Sequence, residues 1–324
     1  MWAGRCAARL LVGVLSLVGA AASAQQVSRV SVAWTPSADT PQIAQAIDKN
    51  LWREQGLDVQ LVAFPTGREA LEALIGGQVD FASMAEFPAV TAAMRQQKFG
   101  VLAVLSKYRG NRIIARDIEL KSVRDLAGRK IATTLGTNSH FALDWELQTA
   151  GVSAEIINAA PPDNVPALVR GDVDAAFMFP AFYDQAQRAL GPRYRELITP
   201  GYVTNMLLVG TAEIIEKRPA EVRKVLSALL KADALVAANP TETQETILRV
   251  VGRAANIDAI RSRWPDYKYE LTLDGELLDL MVREGQWIRN RGLVRNVEPS
   301  AQLFRAYVSD GPLKTLDASR VRLP

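Results

Sequence analysis

The 324-residue chain contains one cysteine and one histidine. The cysteine, Cys6, falls in an N-terminal segment that reads as removed on export. The remaining chain then has no disulfide, no thiolate metal site and no thiol nucleophile. His140 alone cannot supply the several ligands of a zinc centre. There is no G-x-S-x-G elbow, no G-x-x-x-x-G-K-[ST] phosphate loop and no Gly-rich dinucleotide signature after the first strand. Carboxylates are plentiful, but no pair stands apart as an acid/base couple. These absences leave little for an enzyme to work with, so neither catalysis nor a cofactor or metal is expected.

Long apolar runs and charge of one sign are also missing. Beyond residue 24 nothing reaches the roughly 18 uninterrupted apolar residues of a membrane helix. The N-terminus itself has Arg5 and Arg9, the apolar run Leu10 to Ala22, and then Ala22-Ser23-Ala24. This order is that of a cleaved signal peptide, which predicts an exported chain starting near Gln25. Cys6 precedes the apolar run, so lipid anchoring is not expected. Without Arg5 and Arg9 the 38 basic residues fall to 36, against 35 acidic, a net charge of +1. The charges are interspersed, which argues against nucleic acid or an anionic membrane as a partner.

What is present is an alternation of strand and helix signals. "VSVAW" (30 to 34) reads as a buried strand, and Thr40-Pro41 opens a helix striped by Ile43, Ile47 and Leu51. "LDVQLVAF" (57 to 64), "VDFAS" (79 to 83) and "VLAVLS" (101 to 106) read as further strands, with helices between them. The pattern predicts a parallel α/β sheet. "ALIGGQVDF" (73 to 81) and "ALVRGDVDA" (167 to 175) repeat one template 94 residues apart. In each a glycine (Gly77, Gly171) can close a helix before Val-Asp begins a strand. Two similar α/β lobes follow from this echo. Beyond about residue 205 the pattern is helical, and the last 20 residues read as a loosely attached arm.

Three turns could seat a ligand. In "TTLGTNSHFAL" (133 to 143) a strand meets a helix at Gly136, followed by the capping types Thr137, Asn138 and Ser139. Unpaired amides and a partial positive charge suit such a helix start to an anion, with Gly136 allowing backbone approach. An ordinary capped helix is the plain alternative. His140 fits a hydrogen-bond donor or a surface residue better than a catalytic base. Arg68, in "PTGREAL", is either drawn by a ligand or simply solvated, and Glu86, in "SMAEFPAV", is either a cap or a ligand acceptor.

Together "EALIGGQVDFASMAEFPAV", "SVRDLAGRKIATTLGTNSHFALDWELQTAGV" and "PPDNVPALVRGDVDAAFMFPAF" resemble the sulfonate/nitrate/taurine-type substrate-binding proteins of ABC importers, the NMT1/THI5-like group. The resemblance runs from about residue 28 to 295. It implies an α/β type II periplasmic binding protein, with two lobes, two crossovers and ligand in the cleft. Lobe 1 would comprise 25–112 and 205–324, with the C-terminal helices and arm, and lobe 2 would comprise 113–204. By the same resemblance Gly136, Thr137, Asn138, Ser139 and His140 would hold the ligand's acidic group. Met84, Ala85 and Glu86 would line the other wall, and Trp34 would begin a cleft loop running to Asp39. Where the group usually shows a tryptophan, an acidic residue and a proline, this chain has Phe179-Pro180-Ala181. The missing carboxylate weakens the case for a cationic amine such as taurine's, because an unpaired ammonium beside phenylalanines is costly. Phe177, by strand alternation, is expected in the core.

The expected protein is a periplasmic, monomeric, non-catalytic binder of a small anionic solute, partnered by an ABC permease and its ATPase. Aliphatic sulfonates lead, with nitrate or an aromatic acid behind them. An exported sensor, or an enzyme related to thiamine-pyrimidine synthesis, is the alternative. That synthesis uses cysteines, which this chain lacks after residue 6.

Overall fold

The computed structural model describes residues 27–324 apart from 118, 200 and 253–254. The signal segment expected over residues 1–24 lies outside them.

Two separate sheets organise the chain. The first contains β1 (Ser28–Trp34), β2 (Leu57–Ala63), β3 (Phe81–Ala85) and β4 (Phe99–Tyr108). The second contains β5 (Arg112–Arg116), β6 (Lys130–Thr133), β7 (Glu155–Asn158), β8 (Ala175–Phe177) and β9 (Tyr194–Ile198). The chain then returns to the first sheet as β10 (Thr204–Thr211), β11 (Tyr267–Asp274) and β12 (Val321–Arg322). The orders are β12-β11-β4-β10-β3-β1-β2 and β7-β6-β8-β5-β9.

Neither sheet is wholly parallel, which corrects the expectation from strand–helix alternation. β1 pairs in parallel with β2 and β3, but the returning β10 inserts between β3 and β4 and runs antiparallel to both. β5 likewise runs antiparallel to β8 and β9. The reason is topological: β4 and β9 feed crossovers to the other lobe, not helices that return to their own sheet.

The repeated template has one structural job in both lobes. Gly77 and Gly171 adopt positive φ of 71° and 85°, closing their helices. The aspartate three positions on then clasps the neighbouring strand. Asp80 Oδ2 accepts from Ser31 N at 2.8 Å, and Asp174 Oδ2 accepts from Lys130 N at 2.9 Å. The backbone follows suit. Asp80 N donates to Ser31 O and Asp80 O accepts from Thr211 N; Asp174 N donates to Lys130 O and Asp174 O accepts from Arg116 N. β1, β3 and β10 thus correspond to β6, β8 and β5.

The crossovers are knotted at Asn111. Its Nδ2 donates to Tyr202 O (3.1 Å) and Thr204 Oγ1 (3.3 Å), and its carbonyl accepts from Thr199 N (2.8 Å) and Oγ1 (3.1 Å). The C-terminal segment is no loose arm. Phe304 and Leu313 are fully buried, β12 pairs with β11, and Arg320 Nη1 donates to the buried Asp233 at 2.6 Å. Its apolar residues are too few and too scattered to give a periodic signal, yet Val308 and Leu313 are buried while Leu316 stays exposed. Among the described residues no helix is long and apolar enough to cross a membrane.

Candidate functional site

Between the two sheets lies a cavity of about 260 Å³. The loop after β1 supplies Thr35, Pro36, Ser37 and Asp39 to one wall, and the start of helix Gly67–Ile75 adds Thr66, Gly67 and Arg68. Lobe 2 answers with Thr137, Asn138 and Ser139 at the start of helix Asn138–Ala150, and with Phe179 to Phe182 after β8. Tyr108, Thr204 and Asn111 from the crossover region form the floor, where Tyr267 also stands.

The helix starts facing this cavity differ in what they leave free. Thr66 forms a complete capping box with Glu69: its Oγ1 accepts from Glu69 N at 3.3 Å, and Glu69 Oε2 accepts from Thr66 N at 3.2 Å. That box satisfies the amides of Thr66 and Glu69, and Glu69 places a negative charge in the first turn. The Glu86–Met94 helix has no side-chain cap, and its first-turn carboxylate points inward, where Glu86 accepts from Tyr202 OH and from Asn205 N at 2.7 Å. The Asn138–Ala150 helix is open. Among the described residues Thr137 makes no capping bond, and its hydroxyl donates to Thr134 O at 2.7 Å. The first amides of a helix have no intrahelical acceptor, so those of Asn138 and Ser139 remain as donors beside the cavity. A first turn without an acidic residue keeps the positive end of the dipole unneutralised.

The rest of the lobe 2 wall is apolar. Phe179, Pro180 and Phe182 face Pro36, Pro65 and Pro88 across the cavity, and Met206 extends this lining toward the floor. Phe177, two residues before Phe179, is buried as strand alternation requires. The floor holds one acid, Asp39, which accepts from the Tyr267 hydroxyl. Burial raises the Asp39 pKa, opposed by the hydrogen bonds of Tyr267 and Ser37 and by the charge of Arg263. The Tyr267 ring packs at 4.4 Å from Tyr108 and stacks at 5.0 Å on Tyr269. Arg263 bridges the lobes by gripping Asp184 at 2.7 and 3.3 Å.

Of the residues singled out by sequence, Arg68, Ala85, Thr137, Asn138, Ser139 and Phe179 line the cavity. Trp34 and Met84 are buried in the core, Glu86 is sealed under Tyr202, and neither the exposed Gly136 nor the half-buried His140 lines the cavity. Gly136 has φ of +74°, and a Cβ there would meet no atom within 4 Å, so the turn's left-handed backbone explains this glycine better than crowding does. His140 Nδ1 accepts from Gly136 N at 3.4 Å, while its ring meets Trp287 edge-on at 4.9 Å. Burial lowers the His140 pKa, outweighing the nearby Asp144, with the charge of Arg291 acting in the same direction as burial. Tyr108, Asn111, Thr204, Met206 and Tyr267 were not foreseen, since only the crossovers and the late strand β11 bring them here. The "YKY" alternation at 267 to 269 was the one available hint. Among the described residues no group of three or more His, Cys, Asp or Glu side chains could hold a metal ion.

Comparisons with known proteins match this architecture. Over 157 residues the chain is 29% identical to a taurine-binding periplasmic protein of Escherichia coli, covering 48% of this chain and 49% of that one. Over 206 residues it is 27% identical to a putative aliphatic sulfonates-binding protein of the same organism, covering 62% and 65%. The chain thus spans about half the length of the first relative and just under two thirds of the second. The crystal structure of the periplasmic aliphatic sulphonate binding protein from Escherichia coli superposes with a TM-score of 0.73 at 21% identity, covering 85% of this chain and 91% of that one. The fold is that of a type II periplasmic binding protein. A family described as NMT1/THI5 like matches residues 39–243, more than half of the chain, and the chain belongs to that family.

Proposed function

We propose that this chain is a periplasmic solute-binding protein that captures a small organic anion, an aliphatic sulfonate foremost, and passes it to an ABC permease and its ATPase. It acts as a monomer and returns the solute unchanged. Nitrate and aromatic acids are the secondary candidates. The observation that carries this reading is the uncapped start of helix Asn138–Ala150 opening into the same cavity as the apolar Phe179–Phe182 wall. Free amides and an unopposed dipole receive the anionic head, and the wall receives an uncharged tail. The names of the related proteins support a sulfonate head. Closure around the solute removes it from water and strengthens each hydrogen bond, and the closed shape is what a permease would recognise.

Calorimetric titration of residues 25–324 with hexanesulfonate, taurine, nitrate and benzoate tests the proposal. Hexanesulfonate is expected to bind at least tenfold tighter than taurine. Binding of polycations or nucleic acid, with no response to any anion, would overturn it.

A further inference from the structure

One short segment of lobe 1 reaches across to lobe 2 beside the cleft. Helix Ile257–Arg263 and the turn Trp264–Asp266 lead directly into β11. Asn256 caps the helix, its Oδ1 accepting from Asp258 N (2.9 Å) and Ala259 N (3.2 Å). Ile260 is buried with Ala44 and Ile247, and the Trp264 ring packs 4.4 Å from Tyr269. The segment is thereby fixed to its own lobe, which leaves Arg263 and Asp266 to meet the other one.

Arg263 donates to both carboxylate oxygens of Asp184, at 2.7 and 3.3 Å, and Asp266 Oδ2 accepts from Arg112 Nη2 at 2.9 Å. The Arg263 and Arg112 guanidiniums lie 6.0 and 5.7 Å from the centre of the buried Tyr183 ring, whose hydroxyl accepts from Arg112 N at 2.9 Å. The Arg263 and Asp184 side chains are only 13% and 23% exposed, so salt screens this pair less than a surface pair. A two-pronged grip fixes orientation as well as distance. Chain position decides what it orients. Tyr183 and Asp184 directly follow Phe182, the end of the apolar wall, and Asp266 directly precedes Tyr267 of the floor. Arg263 also stands near enough to the floor for its charge to act on Asp39. Neither Arg263 nor Asp184 lines the cavity, so the latch they form acts through Phe182 and Tyr267.

We propose that Arg263 and Asp184 are positioning residues for specificity: by holding the Phe179–Phe182 wall at a fixed distance from the floor, they limit the length of tail that the cleft admits. The inference rests on the reading of the cleft as the seat of an anion with an uncharged tail. It narrows the solute to short- and medium-chain sulfonates, with longer chains turned away by the wall and not by the seat of the anion.

The probes are ethanesulfonate, hexanesulfonate and decanesulfonate, titrated calorimetrically into residues 25–324. The parent should bind decanesulfonate at least tenfold more weakly than hexanesulfonate. Arg263→Met and Asp184→Ala should each bring these two within threefold of one another and leave ethanesulfonate within threefold of its parent affinity. The double variant should go no further than either single one, since both break the same pair. Arg263→Lys should keep most of the parent's discrimination. Equal binding of hexanesulfonate and decanesulfonate by the parent would overturn the proposal before any variant is made. So would variants that keep the parent's discrimination, or that lose affinity evenly across the series, as a merely structural pair would. A parent that binds none of the three sulfonates would instead overturn the anion reading of the cleft, and the latch's role with it.

Discussion

The indole N–H of Trp287 donates to Asp144 Oδ2 at 2.5 Å, joining the last long helix of lobe 1 to helix Asn138–Ala150 of lobe 2. Arg291 also pairs with Asp144, and Phe87 and Phe141 pack against the Trp287 ring at 5.7 and 5.8 Å. The lobes therefore meet through a buried polar contact inside an aromatic cluster. Trp287→Phe keeps the packing and removes the donor, so urea unfolding should show a loss of about 1–2 kcal/mol. An unchanged unfolding midpoint would remove this contact from the account of how the lobes are held.

Glu86, Glu284 and Tyr202 form a buried acidic cluster beside that brace. Tyr202 OH contacts both carboxyls, and Glu284 Oε2 has no partner among the described residues. Burial raises the pKa of both glutamates, and for Glu284 the charge of Glu86 raises it further, well above the ordinary value of 4.5. The folded protein thus keeps a proton that the unfolded chain releases. The stability from that proton is fully present below the unfolded value and is lost as pH rises through the raised folded one. Glu284→Gln mimics the protonated form. Its advantage over the parent in thermal unfolding should grow from pH 4.5 to 8, and a gap that shrinks over that range would contradict the assignment.

Gly67 and Gly136 should respond differently to alanine. A Cβ on Gly67 would sit 2.7 Å from Met84 Cβ, so helix or strand must move, at roughly 1–3 kcal/mol. Gly136→Ala meets no atom but must hold φ near +74°, which costs about 1–2 kcal/mol of backbone strain. Melting scans measure both, and a crystal structure should show a displaced Met84 only in the first variant.

Asp233 is 4% exposed and accepts from Gln42 Nε2 (3.0 Å), Leu271 N (3.1 Å) and Arg320 Nη1 (2.6 Å). Arg320→Ala should destabilise by about 3 kcal/mol, the lower end for breaking a buried pair, because the guanidinium is itself 23% exposed. Asp233→Asn added to it should recover part of the loss. A stable Arg320→Ala protein would mean that the C-terminal segment contributes little.

If the cleft takes an anion with an uncharged tail, Phe179→Asp should invert its preference. Hexanesulfonate affinity should fall by tenfold or more, and taurine affinity should rise, since a carboxylate then faces its ammonium. Competition calorimetry reads both changes, and a parallel loss for the two ligands would place the tail elsewhere.

Sequence reasoning succeeded where local rules act alone. The four strands read over residues 30 to 106 appear within two residues at most of their ends, because each carries a compact apolar run bounded by turn residues. The Gly-x-Val-Asp echo was visible because the helix-closing glycine and the clasping aspartate lie three positions apart, although the clasped residues Ser31 and Lys130 lie far off in sequence. The antiparallel returns β10 and β5 were not visible, since nothing in "TNMLLVGT" says which strands it will separate. The same limit applied to the site. Thr137 to Ser139 announced themselves as a helix start, whereas Glu86 looked open to ligand until Tyr202, 116 residues away, covered it. Whether a helix start is self-capped was legible only in part: the Thr66 and Glu69 spacing was there to read, but the turning of the Thr137 hydroxyl toward Thr134 was not.

Asn111 has a mechanical meaning. Because one side chain and one carbonyl hold both passages of the chain, neither passage can flex while the other stays still. Strain in one passage is therefore shared with the other, beside the separate contacts that Arg263–Asp184 and Trp287–Asp144 make between the lobes.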